Sequence, residues 1–208
     1  MNKLITEFIG TFFLVLTIGC TVIAPGAGVI APLAIGFMLM VMVYAGGHVS
    51  GAHYNPAVTL GVVMRGRCPA QDAFGYVLAQ ILGASLAALA VGAIKGGATA
   101  APAEIAVVPA FLAEFLCTFA LVYVILNTAT AKGTSGNSFY GLAIGGTVMA
   151  SAFAVGSISG GAFNPAVAFG GSLLGLFAWS NLWLYLFANL GGAFCAAVVF
   201  KLVNPEDK

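Results

Sequence analysis

The stretch "SGAHYNPAVTLG", residues 50–61, returns later in the chain as "SGGAFNPAVAFG", residues 159–170. Asn is among the best helix N-caps, and Pro suits the first helical position, where its missing N–H is no loss. A helix should therefore start at Asn55-Pro56 and another at Asn164-Pro165. Both are short. Residues 56–64 run into "RGRCP", and residues 165–174 run into "GLFAWSN". About ten helical residues rise ~15 Å, half of a ~30 Å hydrocarbon core. The surroundings suit such a core, because residues 133–200 contain no Asp, Glu, Lys, Arg or His. The two segments read as half-helices starting at membrane mid-depth, each led in by an extended Gly-rich strand, "SGAHY" or "SGGAF". Irregular backbone is tolerated there only where protein buries it or a water-filled cavity adjoins it.

Composition agrees. Of 208 residues, 61% are hydrophobic and 6% charged, against about a quarter charged in soluble domains. Lipid is the solvent this surface fits. Six apolar segments are long enough to cross it as helices: residues 4–24, 32–47, 73–94, 109–131, 139–156 and 182–203. The connecting loops alternate sides. Lys3, Arg65, Arg67, Lys132, Lys201 and Lys208 fall on one side and Lys95 alone on the other. The positive-inside rule makes the first side cytoplasmic, with both termini there. A net charge of +1 leaves no basic surface for nucleic acid. Cys20, Cys68, Cys117 and Cys195 are scattered without metal-type spacing and read as packing residues. Lys3 and the apolar run to "LTIGC" mimic a lipoprotein leader. Glu7 interrupts that run, and the segment recurs later, so cleavage is not expected.

The recurrence covers the chain. "EFIGTFFLV" from Glu7 returns as "EFLCTFALV" from Glu114, and Tyr76, Gln80 and Gly83 align with Tyr185, Asn189 and Gly192. The register shift is 107 residues for the glutamates and 109 for the asparagines. One copy spans about 1–95, a Gly/Ala/Pro linker about 96–108, and the second copy about 109–208. Three spans per copy is an odd number, so the second copy enters the membrane upside down. Inverted repeats of this kind place a transport site at the midplane between the copies. The expected fold is an all-α membrane protein, six transmembrane helices plus two re-entrant half-helices, in one domain. The half-helix N-termini meet near the middle, each carrying roughly half a positive charge. Such a pair repels cations, hydronium included.

Two Asn-Pro-Ala loops in an inverted three-span repeat resemble the aquaporin and aquaglyceroporin family, the major intrinsic proteins. Asn55-Pro56-Ala57 and Asn164-Pro165-Ala166 carry the resemblance, together with Glu7, Glu114 and "GHVSGAHYNPAVT", residues 47–59. It covers essentially the whole chain. It implies a passive channel for water and small neutral solutes, assembled as a homotetramer with one pore per subunit, and no cofactor or metal. It also implies that carbonyls of Gly51, Ala52, His53, Gly160, Gly161 and Ala162 line the pore, and that Glu7 and Glu114 brace the loops. His48 reads as a packing histidine, Arg65 and Arg67 as cytoplasmic anchors, and Trp179, Trp183 and Tyr185 as an interfacial aromatic belt.

One departure matters. Water- and glycerol-conducting members carry Arg just after the second Asn-Pro-Ala; here that position is Val167, followed by Ala168. Counting along the helices puts the remaining filter positions at Ile35, Ala152 and Gly161. Ile35, Ala152, Gly161 and Val167 thus form a filter expected to be wide, apolar and uncharged. It should admit glycerol, urea, ammonia or neutral metalloid acids such as arsenous and boric acid, besides water. The alternatives are a strictly water-selective pore and, further off, a secondary active transporter, for which Glu7 and Glu114 are poor coupling carboxylates. An intramembrane enzyme built on His48, Ser50 and His53 lacks an acid partner, so no enzyme is expected. The short termini suit a prokaryotic plasma membrane.

Overall fold

The computed structural model describes residues 1–207. The helices are α1 (Asn2–Val22), α2 (Ala31–Ser50), α3 (Pro56–Arg65), α4 (Ala70–Ile94), α5 (Val107–Ile125), α6 (Tyr140–Ser159), α7 (Pro165–Leu173) and α8 (Leu182–Val203). Six of them are long and apolar enough to cross a membrane, α5 being extended by a wider π turn to Thr130. The two short helices, α3 and α7, begin at the Asn-Pro pairs. No strand occurs among the described residues.

The lead-in segments are not the expected extended strands. Gly51, Ala52 and Tyr54 have φ of 88°, 52° and 53°, and Gly160, Gly161 and Phe163 have 89°, 70° and 50°. Successive N–H groups of an extended strand point to opposite sides, whereas left-handed residues let neighbouring N–H groups converge on one anion. That convergence is what these loops require.

Packing follows the repeat. Helix α1 lies on α4, α5 on α8, and α2 crosses α6 between the halves. The half-helices swap sides: α3 packs on α8, and α7 packs on α4. Small residues allow the close crossings, as usual between membrane helices. A Cβ on Gly83 would stand 2.5 Å from the Phe8 carbonyl oxygen, and one on Gly36 would stand 2.6 Å from the Gly145 carbonyl oxygen. Outward faces carry large apolar side chains such as Phe74, Leu89, Leu116 and Phe187, all exposed.

Three surface assignments change. Tyr185 belongs to no belt: it is buried, and its hydroxyl donates to the Ser159 carbonyl at 2.6 Å. Its repeat mate Tyr76 donates to the Ser50 carbonyl at 2.7 Å. Trp179 and Trp183 are half-exposed, as a belt requires. Arg65 is no free anchor. Its side chain is buried, meets Asp207 at 2.5 Å and lies over the Phe200 ring. The Lys132 backbone N–H and the Arg65 guanidinium hold the Asp207 carboxyl below the usual range. That carboxylate ties the end of α3 to the α5–α6 loop, both on the face that holds the chain termini. His48 is not packed but exposed, in a vestibule described below.

Gly83→Val should push the α1–α4 pair apart against backbone that cannot yield. The expected loss is about 1–3 kcal/mol or more, read as a lower unfolding temperature of the detergent-solubilised protein. Gly92→Ala, where an added Cβ meets nothing within 4 Å, is the matched control and should leave it unchanged.

Candidate functional site

Two buried carboxylates organise the two loops. Glu7 sits on α1, fully buried. Its Oε1 accepts the Ser50 hydroxyl at 2.7 Å and the His53 N–H at 2.9 Å. Its Oε2 accepts the Tyr54 N–H at 2.7 Å and the Gln80 amide at 2.8 Å. Glu114 on α5 repeats the set. It accepts Ser159 at 2.7 Å, the Ala162 N–H at 2.9 Å, the Phe163 N–H at 2.7 Å and Asn189 at 2.9 Å. With their N–H groups turned to the carboxylates, the loop carbonyls are left to face elsewhere. A charged acceptor with four donors suits a medium that supplies none.

The asparagines then join the halves. Asn55 Oδ1 caps α3, accepting from Ala57 N–H at 2.8 Å and Val58 N–H at 3.4 Å. Asn164 Oδ1 caps α7 through Ala166 at 2.9 Å and Val167 at 3.4 Å. Each amide also crosses to the opposite loop. Asn55 Nδ2 donates to the Phe163 carbonyl, and Asn164 Nδ2 donates to the Tyr54 carbonyl, both at 2.9 Å. An amide nitrogen carries two N–H donors, so one per asparagine remains for a molecule beside it. Pro56, Ala57, Pro165 and Ala166 are buried behind the caps and open the two half-helices.

A cavity of about 30 Å³ runs beside this pair. A water needs roughly 10–15 Å³ of such space, so the cavity has room for about two waters. Asn55, Asn164, Ala52, His53, Gly161 and Ala162 line it. So do Ile35 and Val167, which is 3% exposed. Ala152 does not. It is half-buried on α6, one turn beyond the lining residue Val148. Gly51 lines the vestibule on the terminal face, and Gly160 lines neither space, its Cα facing the Phe177 ring. The cavity is smaller than a filter lacking Arg leads one to expect. Leu14 and Ile18 of α1 and Leu121 and Ile125 of α5 fill the space from the flanks.

Comparison with known proteins agrees with this fold. The sequence profile of the family described as "Major intrinsic protein" matches residues 1–200. The chain belongs to the major intrinsic protein family. It is 38% identical to glycerol uptake facilitator protein-like 6 of Lactiplantibacillus plantarum, covering 100% of both chains. It is 37% identical to aquaporin NIP1-3 of Oryza sativa subsp. japonica, covering 100% of this chain and 75% of that one. Its fold matches the X-ray structure of the aquaglyceroporin from Plasmodium falciparum with a TM-score of 0.75 at 21% identity, covering 99% of this chain and 97% of that one.

In this major intrinsic protein the lining obeys the repeat throughout. Leu14 and Ile18 pair with Leu121 and Ile125 at the register of the glutamates. Ile35, Leu39 and Val58 pair with Ile144, Val148 and Val167 at the register of the asparagines. Sequence reading missed the α1 and α5 residues, though a signal existed. Leu14 and Leu121 each stand two helical turns after the repeat's glutamate, on its face. Toward the terminal face the cavity opens into a vestibule of about 600 Å³, lined by His48, Arg67, Lys132 and the polar α5–α6 loop. His53 breaks the symmetry. Its repeat mate is Ala162, and its Nδ1 lies 3.1 Å from the Thr59 hydroxyl.

Glu114→Gln places amide hydrogens against a backbone N–H and leaves a buried donor unpaired. The expected cost is about 1–3 kcal/mol, seen as a lower unfolding temperature. Glu114→Asp should lower it too, because the shorter arm reaches only part of the loop.

Proposed function

We propose that this channel passes water together with small uncharged solutes, among them glycerol, urea, ammonia and neutral metalloid acids such as arsenous or boric acid. One observation carries the reading. Val167 lines the cavity next to the capping pair, and among the described residues no Lys or Arg side chain lines that cavity. Selectivity against neutral solutes rests on narrowness and on competing polar contacts. An apolar wall at this level offers the second to no one, and its aliphatic side chains can change rotamer to admit a solute. Ile35, Gly161 and Val167 are the proposed filter wall, with Ala152 above them. Glu7 and Glu114 brace the loops, and the Asn-Pro-Ala pair supplies the midplane donors. The small cavity is what favours the alternative, a strictly water-selective pore.

On this reading the chain is a channel and not an enzyme. It works as a homotetramer in a prokaryotic plasma membrane with both termini cytoplasmic. Support comes from the charge asymmetry of the loops, from the apolar outer faces, and from a bacterial relative matched over its full length.

Stopped-flow light scattering of proteoliposomes tests the solute range. Glycerol and urea should enter faster than in protein-free vesicles, without any ion gradient. Water flux with no solute entry leaves the water-selective reading in place. Val167→Arg should cut glycerol and urea flux by about tenfold or more while sparing water, since it restores bulk and a fixed donor. The same variant should also slow proton leak in a pH-gradient assay, because it adds a positive barrier beyond the two helix ends.

A further inference from the structure

The lining contains a second filter that mirrors the proposed one. Every residue that lines the cavity has its repeat mate in the same lining. Ile18, Ile35 and Val167 lie on the side away from the termini, because α1 has run most of its length there, α2 has just begun, and α7 starts at mid-depth and leads that way. Their mates Ile125, Ile144 and Val58 stand at the corresponding depth on the terminal side. Ile125 and Ile144, with Ala52, line both the small cavity and the vestibule. They form the neck where about 30 Å³ opens into about 600 Å³.

We infer that Ile144, Ile125 and Val58 form a terminal-side filter in series with the outer wall, and that both limit the passage of carbon-bearing solutes. The inference rests on the solute-channel reading and deepens it by naming residues that set specificity. The two rings share their aliphatic groups. They differ where Gly161 and Ala162 of the outer side face Ala52 and His53 of the terminal side. The terminal ring is therefore the bulkier of the two, and a solute that fits the outer ring meets an equal or greater obstacle at the neck. Water, small enough for both, is indifferent to either.

Barriers in series add as resistances, which gives the test its form. Glycerol permeability is measured in proteoliposomes for Ile35→Ala, Ile144→Ala and the double variant, with osmotic water permeability as the check that each pore is folded and open. With two comparable constrictions, each single variant should gain about twofold or less, and the double variant should gain more than the product of the singles. If Ile35→Ala alone yields the whole gain and Ile144→Ala none, the second filter does not exist. Ile144→Phe adds bulk at the neck without opening a cavity and should lower the ratio of glycerol to water permeability; an unchanged ratio overturns the inference. Failure of the channel reading looks different, for then the unmodified protein passes no glycerol at all.

Discussion

Polar backbone at the middle of a bilayer has no water to turn to, and this molecule is arranged around that constraint. Two loops must stay irregular to bring two half-helix ends together at mid-depth. Their inward N–H groups go to Glu7 and Glu114, and their cross-facing carbonyls at Tyr54 and Phe163 go to the asparagine amides of the opposite half. A carboxylate alone in hydrocarbon is costly. Here each has four donors in place, including Gln80 or Asn189 from the neighbouring helix. The charge that looks most out of place in an apolar chain is what makes the irregular backbone tolerable.

The reciprocal asparagine contacts do a second thing. Each ties one repeat to the other, so neither loop can shift along the pore axis without losing a bond made by the other half. The exchange of half-helices, α3 onto α8 and α7 onto α4, acts in the same sense. The result is a midplane tied from both halves, with aliphatic side chains around it. Selectivity by size can then be adjusted at Ile, Leu and Val positions without disturbing the polar centre. An apolar Val167 beside the asparagine pair is one outcome of that separation.

Much of this was legible in the residues. The Asn-Pro pairs fall at helix starts because capping chemistry is local, and the half-helix lengths follow from where Gly66 and Gly175 break them. Glu7 and Glu114 stood out because acidic residues do not occur in membrane spans without partners. Other features were not legible. The loops were expected to be extended, and left-handed φ at Ala52, Tyr54 and Phe163 is unusual enough for non-glycine residues that no local signal announces it. Tyr185 was placed at an interface, since an amphipathic ring near a span end commonly sits there; its mate Tyr76 held the better clue.

The sequence by itself determined the number of spans, their inversion and the meeting of two capped helix ends, because hydropathy, parity and N-cap chemistry act over a few residues each. Tertiary structure alone decided the bore of the pore. Leu14, Ile18, Leu121 and Ile125 look like any apolar residues of a membrane helix, and only their place on the helix face of Glu7 and Glu114 separates them from side chains facing lipid. That choice depends on how α1 and α5 are rotated against the loops, and the rotation is set by Glu7 and Glu114 finding their donors.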